Sequence, residues 1–245
     1  MLNTDYDEYL LQKGKLKEII DLATKNHTEN NTFISPAYLE NAIEAIEAKF
    51  SAKEKKDTVN AIKERYIETA IVRKHMKSNM QWSVIDMETQ FPKNYFLNAT
   101  FSKGTTKSPR FDLIVINETG FGIVELKVNN ENCNNMQSHY EHMTYVLKYP
   151  EKFRQEFQRR LEILKKFELI NQETVSMYKK LLDYGEIPLW CGFLFVGGKK
   201  EDTLAEVKKL GINKQINDLK FMYYDSFDIK DLDINQMVSY NEFVK

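Results

Sequence analysis

The stretch Phe111 to Val128, FDLIVINETGFGIVELKV, limits the fold of this chain more than any other. Two runs rich in Ile, Val, Leu and Phe flank the compact polar turn NETG, the pattern of two strands joined as a hairpin. Yet Asp112, Glu125 and Lys127 lie inside those runs. Burying an unpaired charge costs several kcal/mol or shifts a pKa until the group is neutral. A chain that places three ionisable groups there must either pair them or use them.

Strand alternation puts Glu125 and Lys127 on one face and Val124, Leu126 and Val128 on the other. The register across the hairpin then decides where Asp112 falls. A turn at Glu118-Thr119 sets Asp112 opposite Glu125, and a turn at Thr119-Gly120 sets it opposite Lys127; both gather the three side chains on one face. The intermediate register sets Asp112 opposite Leu126 and scatters them. Two carboxylates brought together repel, and each is costly to ionise unless a cation sits between them. Mg²⁺ or Mn²⁺ supplies that charge and prefers carboxylate oxygens, while a nearby lysine balances developing negative charge. Together these parts suit phosphodiester hydrolysis. The alternative is a structural Asp112–Lys127 ion pair with Glu125 at a solvated edge. The apolar opposite face of the second run argues against a merely exposed edge.

The rest of the chain supplies a plausible frame. With 245 residues, 42% of them hydrophobic, it can build one substantial domain with an extension. Nine glycines and five prolines are too few for long disordered linkers. A formal net charge of −1 confines any polyanion site to a local patch. Cys133 and Cys191 lack the spacing of a zinc or disulfide framework. The start MLNTDYDEYL lacks a signal-peptide layout and no run approaches membrane-spanning length, so a cytoplasmic, non-membrane protein is expected.

Residues 1–56 read as a helical N-terminal extension, with Ser35 and Pro36 opening a helix whose stripe is Leu39, Ile43, Ile46 and Phe50. A core over residues 57–226 begins with a helix to about Met76 and a strand in WSVIDMETQF, followed by the hairpin. Next come a helix over about 136–149 and, after Pro150, a charged helical insertion over about 150–184. PLWCGFLFVGG is a buried strand, followed by a helix near 202–210 and a short strand in KFMYYDS. The acidic tail 227–245 has no clear assignment. This order predicts an α/β fold, a mixed β-sheet flanked by helices.

Asp112, a hairpin turn and then Glu125-Leu126-Lys127 within VELKV resemble the signature of the PD-(D/E)XK nuclease superfamily, which includes many restriction enzymes, Holliday-junction resolvases and exonucleases. The order helix, three strands, helix, strand over about 57–225 is also similar. The resemblance implies a restriction-endonuclease-like fold in which Asp112 and Glu125 bind Mg²⁺, with Mn²⁺ as a substitute, and Lys127 positions or activates the attacking water. The residue before Asp112 is Phe111 where the family often has proline, but that proline does no chemistry.

Many members add a glutamate from the preceding helix; Glu64 and Glu68 are candidates here, and the shorter gap to the first strand favours Glu68. The helix after the motif carries Gln137 and Tyr140, three apart where exonuclease-like members have four. Gln137 is assigned to orienting a phosphate or a metal-bound water. His139 and His142 have no third soft ligand close in sequence, so they read as surface or substrate-facing rather than as a zinc pair. From Lys148 to Lys166 seven basic residues outnumber three glutamates, with Tyr149, Phe153 and Phe157 interleaved. This stretch could track a phosphate backbone, but a solvated face with its aromatics in the core is preferred. The expectation is a nuclease acting on nucleic acid, more readily DNA, alone, as a homodimer or with a partner protein. The alternative is a non-catalytic nucleic-acid-binding or assembly module that retained the fold.

Overall fold

The computed structural model describes residues 81–245 except 92, 107, 130–134, 167–169, 184, 213–215, 217 and 228, together with residues 64, 67–68 and 70–71. The extension expected over 1–56 lies outside the described residues. Those described from the helix expected over 57–76 are helical, and Ile67 and Ile71 are buried.

Among the described residues, six strands form one sheet in sequence order: β1 (Trp82–Gln90), β2 (Arg110–Asn117), β3 (Gly120–Val128), β4 (Leu189–Val196), β5 (Leu219–Tyr224) and β6 (Val238–Ser239). β2 pairs antiparallel with both β1 and β3, β4 and β5 continue in parallel from β3, and β6 returns antiparallel on β5. The sheet is therefore mixed. The helices are α1 (Met136–Lys148), α2 (Pro150–Lys166), α3 (Gln172–Asp183), α4 (Lys200–Lys209) and the single turn α5 (Tyr240–Phe243). None of these is long and apolar enough to cross a membrane.

Pro150 does not merely interrupt the helical region; it opens α2, where its missing N–H costs nothing. The stretch expected to run to about residue 184 is divided into α2 and α3, and Asn171 starts the second by accepting bonds from the backbone N and the Oγ1 of Thr174. Three long helices pack on the sheet face that carries Phe121 and Glu125. Phe121 meets Phe157 of α2 and Tyr178 of α3, and Glu125 meets His139 of α1.

The tail, ambiguous by composition, is part of the sheet. β6 pairs Ser239 with Lys220 and Val238 with Phe221, and Phe243 stacks against Phe195 and Phe221. Just before it, Met237 reaches the opposite face at Gly192, where a Cβ would come within 2.5 Å of its methyl carbon.

Beneath α2 lies a buried charged cluster. A register shift between Val84 and Asp86 marks a β-bulge in β1. Arg160 of α2 bonds to Asp86 and, through Nε and Nη2 at 3.0 and 2.7 Å, to Glu156. Tyr95 donates to the other Glu156 oxygen at 3.0 Å. Burial pushes the Asp86 carboxyl up, and the Arg160 guanidinium only partly opposes this. Rings of Phe91, Phe111, Phe153 and Phe157 pack edge-on around this end of the sheet.

Candidate active site

The hairpin register follows from its turn. Asn117 pairs with Gly120, so Glu118 and Thr119 are the two turn residues. The Asn117 side-chain oxygen accepts from the Thr119 backbone N at 3.0 Å and from its hydroxyl at 2.8 Å, closing the turn locally. The positive φ needed to rejoin the strand falls on Gly120, at 130°. A Cβ there would also lie 2.2 Å from the Pro188 carbonyl oxygen, so glycine is required twice over. Pairing then runs through Val115–Gly122 to Leu113–Val124, and the same register carries Asp112 opposite Glu125. This is one of the two registers that gather the three ionisable groups.

Glu125 and Lys127 are almost fully buried, at 2% and 3% exposure. Lys127 Nζ donates to Glu125 Oε1 at 2.6 Å and to the Leu126 carbonyl at 3.0 Å. The Asp112 Oδ2 accepts from the Leu126 backbone N at 2.6 Å. His139 Nδ1 lies 2.9 Å from the second Glu125 oxygen, Oε2, and pairs with it.

The charges follow from this geometry. Burial, and then repulsion from Glu125 and Glu64, push the Asp112 carboxyl well above the usual carboxylate range despite Lys127. Burial also works against ionisation of Glu125, but Lys127 and His139 together outweigh it and lower its pKa. For Lys127, burial favours the neutral amine, yet the carboxylates of Glu125 and Asp112 win and raise its pKa. The site thus holds an ionised Glu125, a charged Lys127 and an Asp112 that carries its charge reluctantly.

All three side chains line a cavity of about 610 Å³. The loop 97–106 forms one wall, fastened to α1. Ser102 N donates to Glu141 at 2.9 Å, the Thr105 and Ser138 hydroxyls are 3.1 Å apart, and His142 Nε2 donates to the Thr106 carbonyl at 2.7 Å. Burial lowers the His142 pKa, so the ring is the neutral partner of that carbonyl. Of the two positions expected for it, surface or substrate-facing, His142 is off the surface: it is buried, lines the cavity and holds the wall in place.

Of the two glutamates weighed on the preceding helix, Glu64 lines the cavity and Glu68, 2% exposed, does not. Gln137 is not brought to the site either. It is exposed, and its amide donates to Glu141 at 3.2 Å on the same helix. None of the seven basic residues between Lys148 and Lys166 lines the cavity. Arg160 is in the buried cluster, Arg154 pairs with Glu186, and Lys165 pairs with Glu162 at 3.3 Å. Sequence reasoning missed Arg110, an exposed residue of the lining. The signal was available: Arg110 precedes Asp112 by two in the same strand and so shares its face.

No group of three or more His, Cys, Asp or Glu side chains that could alone hold a metal ion is present among the described residues. Mg²⁺ does not need one, because one or two carboxylates with water and substrate phosphate ordinarily complete its shell. Asp112 and Glu125 fit that role. Their mutual repulsion calls for a cation. Searches against protein-family models, curated proteins and solved structures found no match to this chain.

Proposed function

We propose that this chain is a metal-dependent nuclease, hydrolysing phosphodiester bonds of nucleic acid, more readily DNA, on a restriction-endonuclease-like fold. The observation that carries the reading is the hairpin register, which faces Asp112 with Glu125 and Lys127 in one cavity. A divalent cation held by Asp112 and Glu125 would polarise the scissile phosphate and supply an activated water. Glu64 lies on the same cavity and adds to the negative field that attracts the cation.

The chain's own groups have distinct tasks. Lys127, fixed by Glu125 and the Leu126 carbonyl, stays protonated, so it acts as a stationary positive charge beside the phosphate rather than as a base. Arg110 presents a planar cation at the rim, suited to a non-bridging phosphate oxygen. The hydroxyls of Thr106, Ser108 and Ser138 line the same cavity and can donate to the backbone passing over it.

The test is incubation with labelled single- and double-stranded DNA and RNA, in Mg²⁺, Mn²⁺ or EDTA. Asp112→Asn and Lys127→Ala serve as controls. The expected result is cation-dependent cleavage of DNA that both substitutions abolish. Binding without cleavage would instead establish a non-catalytic nucleic-acid-binding module, and the absence of both would sink the proposal.

A further inference from the structure

A second groove, of about 320 Å³, is built from the same two elements as the catalytic cavity, the wall loop and α1. The two sites meet through one pair of rings. His142 lines the cavity, Phe101 lines the groove, and they stand edge to face with centroids 4.8 Å apart. A ligand seated in the cavity can therefore extend into the groove.

The groove is aromatic along its length. Tyr145 contacts Phe101 at 6.0 Å and Tyr149 at 4.8 Å between centroids, and the series ends on a Tyr149 that is 48% exposed. That exposed residue is fixed rather than loose. Its backbone N donates to the Tyr145 and Val146 carbonyls, and Pro150 opens α2 directly after it. A ring held in place loses little freedom when a ligand covers it. Lys148 Nζ lies 5.4 Å from the Tyr149 centroid and sets a cation beside the exposed ring. Thr144 adds an unused polar group. A helical threonine hydroxyl ordinarily bonds back to the carbonyl one turn earlier, yet the buried Thr144 Oγ1 has no hydrogen-bond partner among the described residues. Glu141, the carboxylate of the lining, has both oxygens engaged, by Ser102 N and by the Gln137 amide.

We infer that this groove takes an unpaired base of a nucleic-acid strand, stacked on Tyr149, with Lys148 on the adjoining phosphate and the Thr144 hydroxyl on the base edge. This rests on the nucleic-acid reading of the neighbouring cavity and adds to it the strandedness of the substrate. A base inside a duplex is stacked on both faces and has no face left for a protein ring, so the strand here is single or splayed. An exposed aromatic ring with a cation at its side is the pairing that single-strand sites use. An apolar helix of a protein partner would fit the rings but would leave the Lys148 charge and the Thr144 hydroxyl unanswered. Such sites span roughly 4–16 nucleotides, enough to join the groove to a phosphate in the cavity.

The experiment is binding by fluorescence anisotropy, with the full chain in EDTA at one fixed salt concentration so that no cleavage intervenes. The probes are a labelled oligothymidylate of about twelve nucleotides, an abasic strand with the same phosphates, and a duplex of the same length. Variants are Tyr149→Ala, Tyr149→Phe and Lys148→Ala, each checked for folding by circular dichroism. Tyr149→Ala is expected to weaken oligothymidylate binding by about fivefold or more, the usual loss on truncating a stacking ring. Abasic-strand and duplex affinities should stay within about twofold, and Tyr149→Phe should bind oligothymidylate as the unsubstituted chain does. Lys148→Ala should weaken the base-bearing and abasic strands alike, because it acts on phosphate. If Tyr149→Ala leaves oligothymidylate affinity intact, or weakens the abasic strand equally, the inference is overturned while the nuclease reading stands. Self-association of the unsubstituted chain that Tyr149→Ala abolishes would also overturn it, by making a second copy the occupant. If the unsubstituted chain binds no probe, both readings fall.

Discussion

Asp112 faces Glu125 across the β2–β3 hairpin, and burial, followed by the repulsion of that pairing, makes its charge an electrostatic liability. Its folded pKa lies above its unfolded value of 3.8, so the folded chain holds a proton that the unfolded chain gives up. Stability contributed by this group is therefore present at low pH and lost as pH rises through and beyond the ordinary aspartate range. Asp112→Asn should raise the Tm at neutral pH by a few degrees, about 1 kcal/mol for a chain of this size, and give no gain near pH 3. The same variant should be inactive. Scanning calorimetry in EDTA across pH decides it; a Tm fall at neutral pH would show that Asp112 is structural.

Lys127 is the reverse case. It is the near partner of a buried, ionised Glu125, and its raised pKa keeps its contribution to stability intact through neutral pH, to be lost only above the ordinary lysine range. Lys127→Ala leaves that carboxylate without its cation and should cost about 3–5 kcal/mol, the usual penalty for breaking a buried pair from one side. A divalent cation should restore part of the loss. Adding Glu125→Gln to Lys127→Ala should also reduce the penalty, because the uncompensated charge is gone. Denaturant unfolding with and without metal measures both effects.

Arg110 and Gln137 separate the cavity from its surroundings. Arg110 is the rim cation, and Arg110→Ala should weaken nucleic-acid binding and reduce the slope of log affinity against log salt by about one phosphate contact. Gln137 is exposed, and among the described residues its side chain bonds to Glu141, so Gln137→Ala should change stability by less than about 0.5 kcal/mol and leave cleavage unaltered. Binding titrations over a salt series and cleavage rates are the measurements. A cleavage defect in Gln137→Ala would return that residue to the site.

What the sequence revealed was local, and what it hid was long-range. Period-two alternation placed Glu125 and Lys127 on one face, and a two-residue polar turn left two useful registers open. The choice between them depended on Asn117 closing the turn and on Gly120 packing under Pro188, a residue 68 positions away in number. The preference for Glu68 over Glu64 came from a sequence gap, whereas one helical turn decides which side chain reaches a cavity. Asp86 and Arg160 lie 74 residues apart, and neither reads as buried in isolation. The acidic tail had no clear assignment because its buried residues, among them Leu232, Ile234 and Phe243, sit in and around short turns and a two-residue strand rather than in one long periodic element.

The helix richest in basic residues should prove a pillar of the fold rather than a nucleic-acid surface. Arg160 is 3% exposed and lies between Asp86 and Glu156, so Arg160→Met removes the only cation bonded to both carboxylates among the described residues. The loss should be about 3–5 kcal/mol, seen as a lower denaturant midpoint. Because burial already pushes Asp86 toward its neutral form, acidification should soften the defect, as protonation removes the charge that lost its partner. By contrast Lys165→Ala breaks an exposed pair with Glu162 and should cost no more than about 1 kcal/mol. Since Lys165 also stands outside the cavity, the same substitution should leave nucleic-acid affinity and its salt dependence unchanged. A clear loss of affinity in Lys165→Ala would make the outer face of α2 part of the binding surface.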